Sequence, residues 1–203
     1  MPNGYYQKTE MNRNFFYRCG RYALLSSMLL MEACTIVAIQ PMHQVTLSEV
    51  ERKLTIPVRL DLSDEFRNAK WERNMGDTRI LPLGENLVAL SRKMIENVFM
   101  TVMGGPGDPN VAVISPKVIS IEQAIPVWTS EETKLLIIVE WTLKRPDGRT
   151  VWTQTIQGIG SGPTGNAFTD SGRSVVRVQR ALNDLFQKSQ DEMTTSAILR
   201  SLP

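Results

Sequence analysis

Residues able to support catalysis or bind a metal are few in this chain of 203 residues. The only histidine is His43, and the only cysteines are Cys19 and Cys34. His43 lies in a polar stretch that we interpret as a tether. Because it is the single histidine, we exclude Ser-His-Asp catalysis, Cys-His catalysis and any multi-histidine metal centre. We therefore expect this chain to carry no cofactor and no metal.

A glycine pattern, G-x-G-x-x-G, runs from Gly160 to Gly165 between a strand and a helix. In dinucleotide-binding proteins this spacing brings a phosphate close to the backbone N–H groups at the start of a helix. Here the preceding strand belongs to an antiparallel hairpin, no strand follows the helix, and Pro163 removes one backbone N–H. We interpret the segment as a flexible connection.

Carboxylates remain as candidates for chemistry without histidine. Asp61, Asp64 and Glu65 cluster at the end of a strand, and Glu131 and Glu132 precede the hairpin. Paired carboxylates hydrolyse glycosides only when they face each other at a defined separation across a cleft. Neighbours in sequence on a solvated loop are more typical of a soluble turn. We therefore expect no enzymatic activity and regard a carboxylate-only hydrolase as a third, minor hypothesis.

The amino-terminal segment has the order of residues found in an export signal. Positive charges come first, an apolar run from Tyr22 to Met31 follows, and the small residue Ala33 then precedes Cys34; the positive residues are Arg13, Arg18 and Arg21. The apolar run is too short to span a bilayer comfortably. We therefore predict a signal peptide over residues 1–33, with residue 11 as a plausible true start.

The end of that segment resembles the lipobox of bacterial lipoproteins, in which a small residue precedes a cysteine that is diacylated. Met31 stands where leucine is usual, and Glu32 stands where a small or apolar residue is usual. The resemblance implies lipidation at Cys34, and Thr35 after it implies transport to the outer membrane. Two other interpretations stay open: an uncleaved anchor from about Tyr22 to Ile39, and a plain core helix.

The charges of the exported part bear on its partners. The chain holds 23 basic and 21 acidic residues; four basic and two acidic ones precede Cys34, so 19 of each sign remain. A neutral domain lacks the excess of lysine and arginine that binding to nucleic acid requires. We expect no nucleic acid partner, a membrane contact through the lipid, and a polar tether over residues 34–53.

Hydrophobic periodicity indicates one α+β domain over residues 54–203. The predicted elements are a strand over Leu54–Leu62, a helix over Gly84–Met103, a strand over Val111–Ala124, a hairpin of Leu135–Lys144 with Thr150–Ile159, and a helix over Asn166–Ser189. Residues 63–80 look polar and irregular. We expect a mainly antiparallel sheet of about four strands with two helices on one face, in the order β-α-β-β-β-α.

Trp141 and Trp152 lie near the closed end of the predicted hairpin. Tryptophans at such positions most often pack in a core or on a sheet surface. If both lay on the face away from the helices, they would form an exposed apolar patch suited to a partner protein or an acyl chain. We therefore treat these two residues as candidate partner-binding residues.

A wider resemblance rests on several stretches: LPLGENL from Leu81, opening a helix that ends in Val98 and Phe99; VEW from Val139 and GRTVW from Gly148 in the hairpin; and ALNDLF from Ala181. With them the chain resembles uncharacterised bacterial envelope lipoproteins, whose plan is similar to that of accessory lipoproteins of outer-membrane export systems. Those families are mostly non-catalytic adaptors, and the resemblance carries over no site residues.

Two functions follow as hypotheses. The first is a lipid-anchored periplasmic module that docks on another envelope protein during assembly or export. The second is a carrier for a lipid or a glycan, with a pocket between the helices and the sheet. An enclosed apolar cavity would favour the carrier, whereas a filled core with an exposed, tryptophan-bearing sheet would favour the adaptor.

Overall fold

The computed structural model describes residues 35–36, 47–74, 78–103, 111–124, 132–162 and 170–202. The strands are β1 (Thr35–Ile36), β2 (Val58–Leu60), β3 (Lys70–Asn74), β4 (Thr78–Pro82), β5 (Val102–Met103), β6 (Ala112–Ala124), β7 (Thr133–Lys144) and β8 (Thr150–Gly162). The helices are α1 (Asp64–Arg67), α2 (Gly84–Val98), α3 (Asp170–Thr195) and α4 (Ala197–Ser201). The predicted α+β class is therefore correct.

The strands of the described residues form two sheets. The larger has the order β5-β2-β6-β7-β8, and the smaller has the order β1-β4-β3. Strand β2 runs parallel to both β5 and β6, whereas β6, β7 and β8 are antiparallel. The large sheet is therefore mixed: its three long strands are antiparallel as expected, whereas the short strands β2 and β5 add parallel pairs that were not predicted. The parallel pairing of β2 is possible because the chain after it crosses over through α1, β3, β4 and α2.

The β7–β8 hairpin matches its prediction and is the longest pairing in the fold. Its register runs from Thr133 opposite Gly162 to Leu143 opposite Trp152. The turn is closed by a hydrogen bond from the Arg145 N–H to the Arg149 carbonyl. Gly148 adopts a φ of 82°, a left-handed conformation that glycine reaches without steric cost.

Helix α2 ends at Val98, so the predicted extension to Met103 is wrong. Phe99 is already extended, with φ −108° and ψ 143°, and it pairs with Leu54 in a parallel bridge. The Leu54 N–H donates to the Val98 carbonyl, and the Met100 N–H donates to the Leu54 carbonyl. Pairing with this earlier segment supplies the backbone hydrogen bonds that a continued helix would have supplied.

The segment predicted to be irregular, residues 63–80, contains α1, β3 and most of β4. Ser63 caps α1 by accepting a hydrogen bond from the Phe66 N–H at 3.1 Å. In the small sheet Trp71 lies opposite Leu81, and both pack against the core. Polar residues hide the alternation of these short strands, which explains the missed prediction.

One core lies between the large sheet and the two long helices. Along β7 the odd-numbered residues from Leu135 to Leu143 are buried, and the even-numbered ones are exposed or half-buried. The helical spacing of apolar residues predicts an inner stripe on α3 formed by Val175, Val178, Leu182, Leu185 and Phe186. The last four have no exposed surface, and Val175 is half-buried. The stripe was therefore predicted correctly, although α3 continues to Thr195, six residues beyond the predicted end.

Candidate functional site

The described chain begins immediately after the predicted lipidation site. Thr35 and Ile36 form β1, which pairs in parallel with Arg79 and Ile80 of β4. Cys34 and residues 1–33 lie outside the described residues, so lipidation and the signal peptide stay predictions. His43 also lies outside them.

Ser48, which lies within the predicted tether over residues 34–53, is hydrogen-bonded to both long helices. The Ser48 carbonyl accepts hydrogen bonds from Asn97 Nδ2 at 2.8 Å and from Gln190 Nε2 at 2.7 Å. Asn97 Nδ2 also donates to Gln190 Oε1, and the Ser48 hydroxyl donates to Gln187 Oε1 at 3.0 Å. Together with the burial of Leu47, these bonds hold the chain against the carboxyl-terminal end of α2.

Helix α3 lies directly on β8, with three glycines at the contact. A Cβ on Gly160 would collide with the Arg177 carbonyl oxygen, and a Cβ on Gly158 would collide with the Ala181 carbonyl oxygen. Gly162 lies against the Arg177 side chain, whose Cγ would be 3.0 Å from a Cβ at that position. The glycines of the G-x-G pattern therefore serve close helix–sheet packing. Residues 163–169 are outside the described part of the chain.

Trp141 and Trp152 are both buried, with exposed fractions of 0% and 5%. Trp141 Nε1 donates to Ser189 Oγ at 3.1 Å, and its ring meets Phe186 edge to face at a centroid distance of 6.3 Å. Trp152 lies opposite Leu143, on the same helix-facing side of the sheet. Both tryptophans are thus core residues, and neither contributes an exposed patch in the described structure.

Those predicted carboxylates that the structure describes lie exposed and do not converge on a cleft. Asp61, Asp64, Glu65 and Glu132 are all exposed, and Glu131 lies outside the described residues. Asp64 and Glu65 occupy the first turn of α1, where negative charge stabilises a helix. Within the described residues, histidine, cysteine and acidic side chains form no group that could hold a metal ion.

One carboxylate has an altered acidity. The Arg149 backbone N–H and its guanidinium both donate to Asp147 at 2.9 Å. These hydrogen bonds, helped by the charges of Arg149 and Arg145, lower the pKa of Asp147 below its ordinary value of 3.8. The residue is fully exposed at the hairpin turn, so the effect stabilises the turn and creates no acid or base for catalysis.

The large sheet has a second face, on the side opposite α3, which we name the helix-free face. It is formed by the even-numbered residues of β7 and the odd-numbered residues of β8. Leu136 lies directly opposite Ile159, whose side chain is 42% exposed, and Ile138 is the next β7 residue on this face. Glu140 lies on it opposite Lys117 of β6. This apolar pair with charged neighbours was missed in the sequence, because alternation alone does not tell which face the helices cover.

The free edge of β8 is protected along its last third. Asp184 accepts a hydrogen bond from the Ile159 N–H at 2.9 Å, Lys188 Nζ donates to the Gln157 carbonyl, and Arg180 donates to the Ser161 carbonyl at 2.8 Å. Charged side chains of α3 thus bind backbone groups of β8 with which another strand would otherwise pair. This arrangement disfavours edge-to-edge association.

Comparison with known proteins identified structural matches only. No family model and no curated protein matches the chain. None of the described helices is long and apolar enough to cross a membrane. A solved Xanthomonas campestris protein, described as belonging to the DUF330 family, is 13% identical with a TM-score of 0.49; the match covers 77% of this chain and 92% of that one.

Several of the other matched structures are described as lipoproteins. A minor lipoprotein of Acinetobacter baumannii is 11% identical with a TM-score of 0.46, covering 70% of this chain and 93% of that one. The rare lipoprotein B of Shewanella oneidensis is 17% identical with a TM-score of 0.44, covering 71% and 92%. We take no site or function from these distant matches. Their names fall within the class that the sequence resemblance indicates, the uncharacterised bacterial envelope lipoproteins.

Proposed function

We propose that this chain is a lipid-anchored envelope protein whose domain binds another envelope component without catalysis. Cys34 would carry the lipid, and the domain would face the periplasm from the outer membrane. The leader supports export, and the small residue before Cys34 supports lipidation. Two acyl chains anchor a protein stably, whereas one gives only marginal membrane binding.

The observation that carries the adaptor proposal is the direct contact of α3 with β8. Gly158 and Gly160 bring the helix backbone against the strand, so the space between them is already filled. A carrier of the kind considered above would need a pocket between these two layers. The contact therefore favours the adaptor over that carrier.

A filled interior leaves the surface as the place where the domain can recognise a partner. On the helix-free face, Leu136 and Ile159 form a cross-strand apolar pair, and Lys117 and Glu140 form a charged pair nearby. An apolar centre with a polar rim is the usual anatomy of a protein–protein interface. We therefore assign partner binding to this face in place of Trp141 and Trp152.

Metabolic labelling with radioactive palmitate tests the anchor. We expect the full chain to incorporate label and to fractionate with outer membranes, and the Cys34→Ser variant to do neither. Cys19→Ser is the matched control and should behave as wild type, because Cys19 lies in the predicted signal peptide. An intact amino terminus with a free thiol at Cys34, found by mass spectrometry, would contradict the proposal.

Photo-crosslinking in cells tests the adaptor role. A crosslinking amino acid at Thr155, exposed on the helix-free face, should give a discrete product with one envelope protein. The same amino acid at Arg92, exposed on α2, is the control and should give none. Ile159→Glu should abolish the Thr155 product while the melting temperature stays unchanged. Equal background at Thr155 and Arg92 would count against a partner on this face.

A further inference from the structure

The outer edge of β8 is only partly covered by α3. The register with β7 runs without a shift through this part of β8, so alternate residues direct their N–H and carbonyl groups toward β7 and away from it. The Gln157 carbonyl and the Ile159 N–H bond to α3 side chains, so the odd-numbered residues are those that point away. The backbone groups of Thr153 and Thr155 therefore also point away from β7.

We name residues 153–157 of β8 the open edge. At one of its ends Lys188 binds the Gln157 carbonyl, and at the other the register with β7 shifts next to Trp152, which marks a β-bulge. Within the described part of the chain, no group bonds to the outward N–H and carbonyl groups of the two threonines, and both residues are exposed. Sheet edges are usually blocked by charged side chains, prolines or bulges. The open edge is the stretch of β8 that lies between two such blocks.

These outward groups specify what can bind to them. Thr153 and Thr155 each present one donor and one acceptor, and the two residues are about 6.8 Å apart, the repeat of two strand residues. An extended backbone has the same repeat and can exchange hydrogen bonds with both residues. A helix uses its backbone groups internally, so it cannot match this pattern. The side chains of Thr153, Gln154 and Thr155 are uncharged, so the centre of the open edge favours uncharged neighbours.

Positive charge predominates at the two ends of the open edge. The charged residues of the hairpin turn, and those of α3 that bond to β8, are Arg145, Asp147, Arg149, Arg180, Asp184 and Lys188. Each end thus has two basic residues and one acidic residue. A second copy of this chain, paired antiparallel about a two-fold axis, would place the turn of one copy beside α3 of the other. Like charges would then face each other, which disfavours a second copy and favours a segment with acidic ends.

We infer that the envelope partner contributes one extended segment, which pairs with the open edge as a further strand of the large sheet. The segment has an uncharged centre and acidic residues at its ends. The inference rests on the proposed function and specifies how the partner binds. Because side chains alternate along a strand, every second side chain of the added segment would lie on the helix-free face, beside Thr155 and Ile159. One partner would therefore contact both the edge and the face.

A proline at residue 155 tests the backbone pairing. The N–H of this residue points away from β7, so its removal leaves the β7–β8 hydrogen bonds intact, and proline is accepted at such edge positions. Thr155→Ala loses the same side chain but keeps the N–H, which makes it the matched comparison. With a photo-crosslinking amino acid at Gln157 in cells, Thr155→Pro should give about fivefold less partner product than Thr155→Ala. Equal yields at equal melting temperature would overturn the inference.

Hydrogen exchange tests the same pairing without a proline, and so covers the case in which Thr155→Pro does not fold. In the purified product crosslinked through residue 157, the amides of Thr153 and Thr155 should exchange roughly tenfold more slowly than in the free chain. The amide of Asp64, the first residue of α1, lies outside the large sheet and should exchange equally in both. Threonine amides that exchange at the same rate in product and free chain would overturn the inference.

Charge reversal at the turn tests the acidic ends of the segment. Arg145→Glu should lower the yield of the product at residue 157 about threefold, because the new charge repels an acidic residue of the partner. Arg92→Glu is the matched control, since Arg92 is exposed on α2, and it should leave the yield unchanged. Equal yields from the two variants would overturn the charge that we assign to the segment.

The outcomes distinguish this inference from the proposed function. Crosslinks at Thr155 and Gln157 that do not exceed the background at Arg92 would overturn both. A discrete product that persists in Thr155→Pro, with unprotected threonine amides, would overturn the strand pairing alone and leave the adaptor role intact. A product with the mass of two copies of this chain would also overturn the inference, because a second copy would then occupy the open edge.

Discussion

Replacing Gly160 with alanine should disrupt the packing of α3 on β8. The added Cβ would collide with the Arg177 carbonyl oxygen and lie 2.6 Å from the Ala181 backbone nitrogen. Ordinary contact begins at 3.4 Å, so α3 must retreat by about 0.8 Å at the Ala181 nitrogen and by more at the Arg177 oxygen. Both obstructing atoms belong to the helix backbone. Where the retreat opens a gap of about 0.5–1 Å between packed atoms, each of those contacts loses a quarter to a half of its dispersion energy.

The magnitude follows from what moves with the helix. Val178, Ala181 and Leu185 have no exposed surface, so any retreat opens the core. Overpacking a tight core costs about 1–3 kcal/mol, and a backbone obstruction places Gly160→Ala at about 3 kcal/mol. The alanine also stabilises the protein by about 0.4–1 kcal/mol, because it lowers the conformational entropy of the unfolded chain. A net loss of about 2–3 kcal/mol lowers the melting temperature of a domain of this size by roughly 4–12 °C.

Two other glycines provide matched controls in a thermal or urea unfolding assay. At Gly162 the nearest atom is the flexible Arg177 side chain, so Gly162→Ala should cost less than about 1 kcal/mol. Gly148 has open space around it but a φ of 82°, so Gly148→Ala should cost about 1–2 kcal/mol through backbone strain alone. If Gly160→Ala and Gly162→Ala were equally stable, the argument from backbone contact would be refuted.

Three further predictions concern single side chains. Trp141→Phe and Ser189→Ala should each lower the free energy of unfolding by about 1–3 kcal/mol in urea. A double-mutant cycle should show a coupling of about 1 kcal/mol, because the two side chains share a hydrogen bond. Additive losses would contradict that bond. Ser91→Ala should raise stability by about 1 kcal/mol, because the buried Ser91 hydroxyl has no hydrogen-bond partner among the described residues; a loss would reveal a missed partner. Asp147 holds the hairpin turn through its ionised form, so this contribution is present above its ordinary pKa of 3.8 and is lost as the pH falls through its lowered folded pKa. Asp147→Asn should remove the acid transition of the Arg149 amide in an NMR titration.

Local periodicity was enough to predict the elements that build the core. The hairpin of β7 and β8 has strict alternation and a turn with Asp147 and Gly148, and both features act within a few residues. The inner stripe of α3 repeats every three or four residues and was found for the same reason. The small sheet was missed, because β3 and β4 are short, polar and stabilised mainly by pairing with each other.

Contacts between residues that are distant in sequence could not be predicted in the same way, because local periodicity does not report them. The hydrogen bonds of Ser48 with Gln187 and Gln190 join residues more than 100 positions apart, and no local pattern predicts them. The parallel pairing of β2 with β6 also joins residues far apart in sequence, from Val58 to Ala112. One signal was present and overlooked: Gly158, Gly160 and Gly162 alternate on one face of β8, a spacing that indicates close approach of another backbone.

The proposed lipid anchor and the helix-free face can be coupled through the orientation of the domain. Cys34 would hold one end of the chain at the membrane, whereas Leu136 and Ile159 lie on the large sheet. An anchor that holds the domain close to the bilayer would restrict the directions in which the helix-free face can point. A partner would then meet that face without a search over orientations, which lowers the entropic cost of binding. Lengthening the chain between Cys34 and Thr35 with glycine and serine should therefore weaken partner crosslinking at Thr155 while leaving acylation unchanged. Undiminished crosslinking would show that the anchor and the helix-free face are not coupled through orientation.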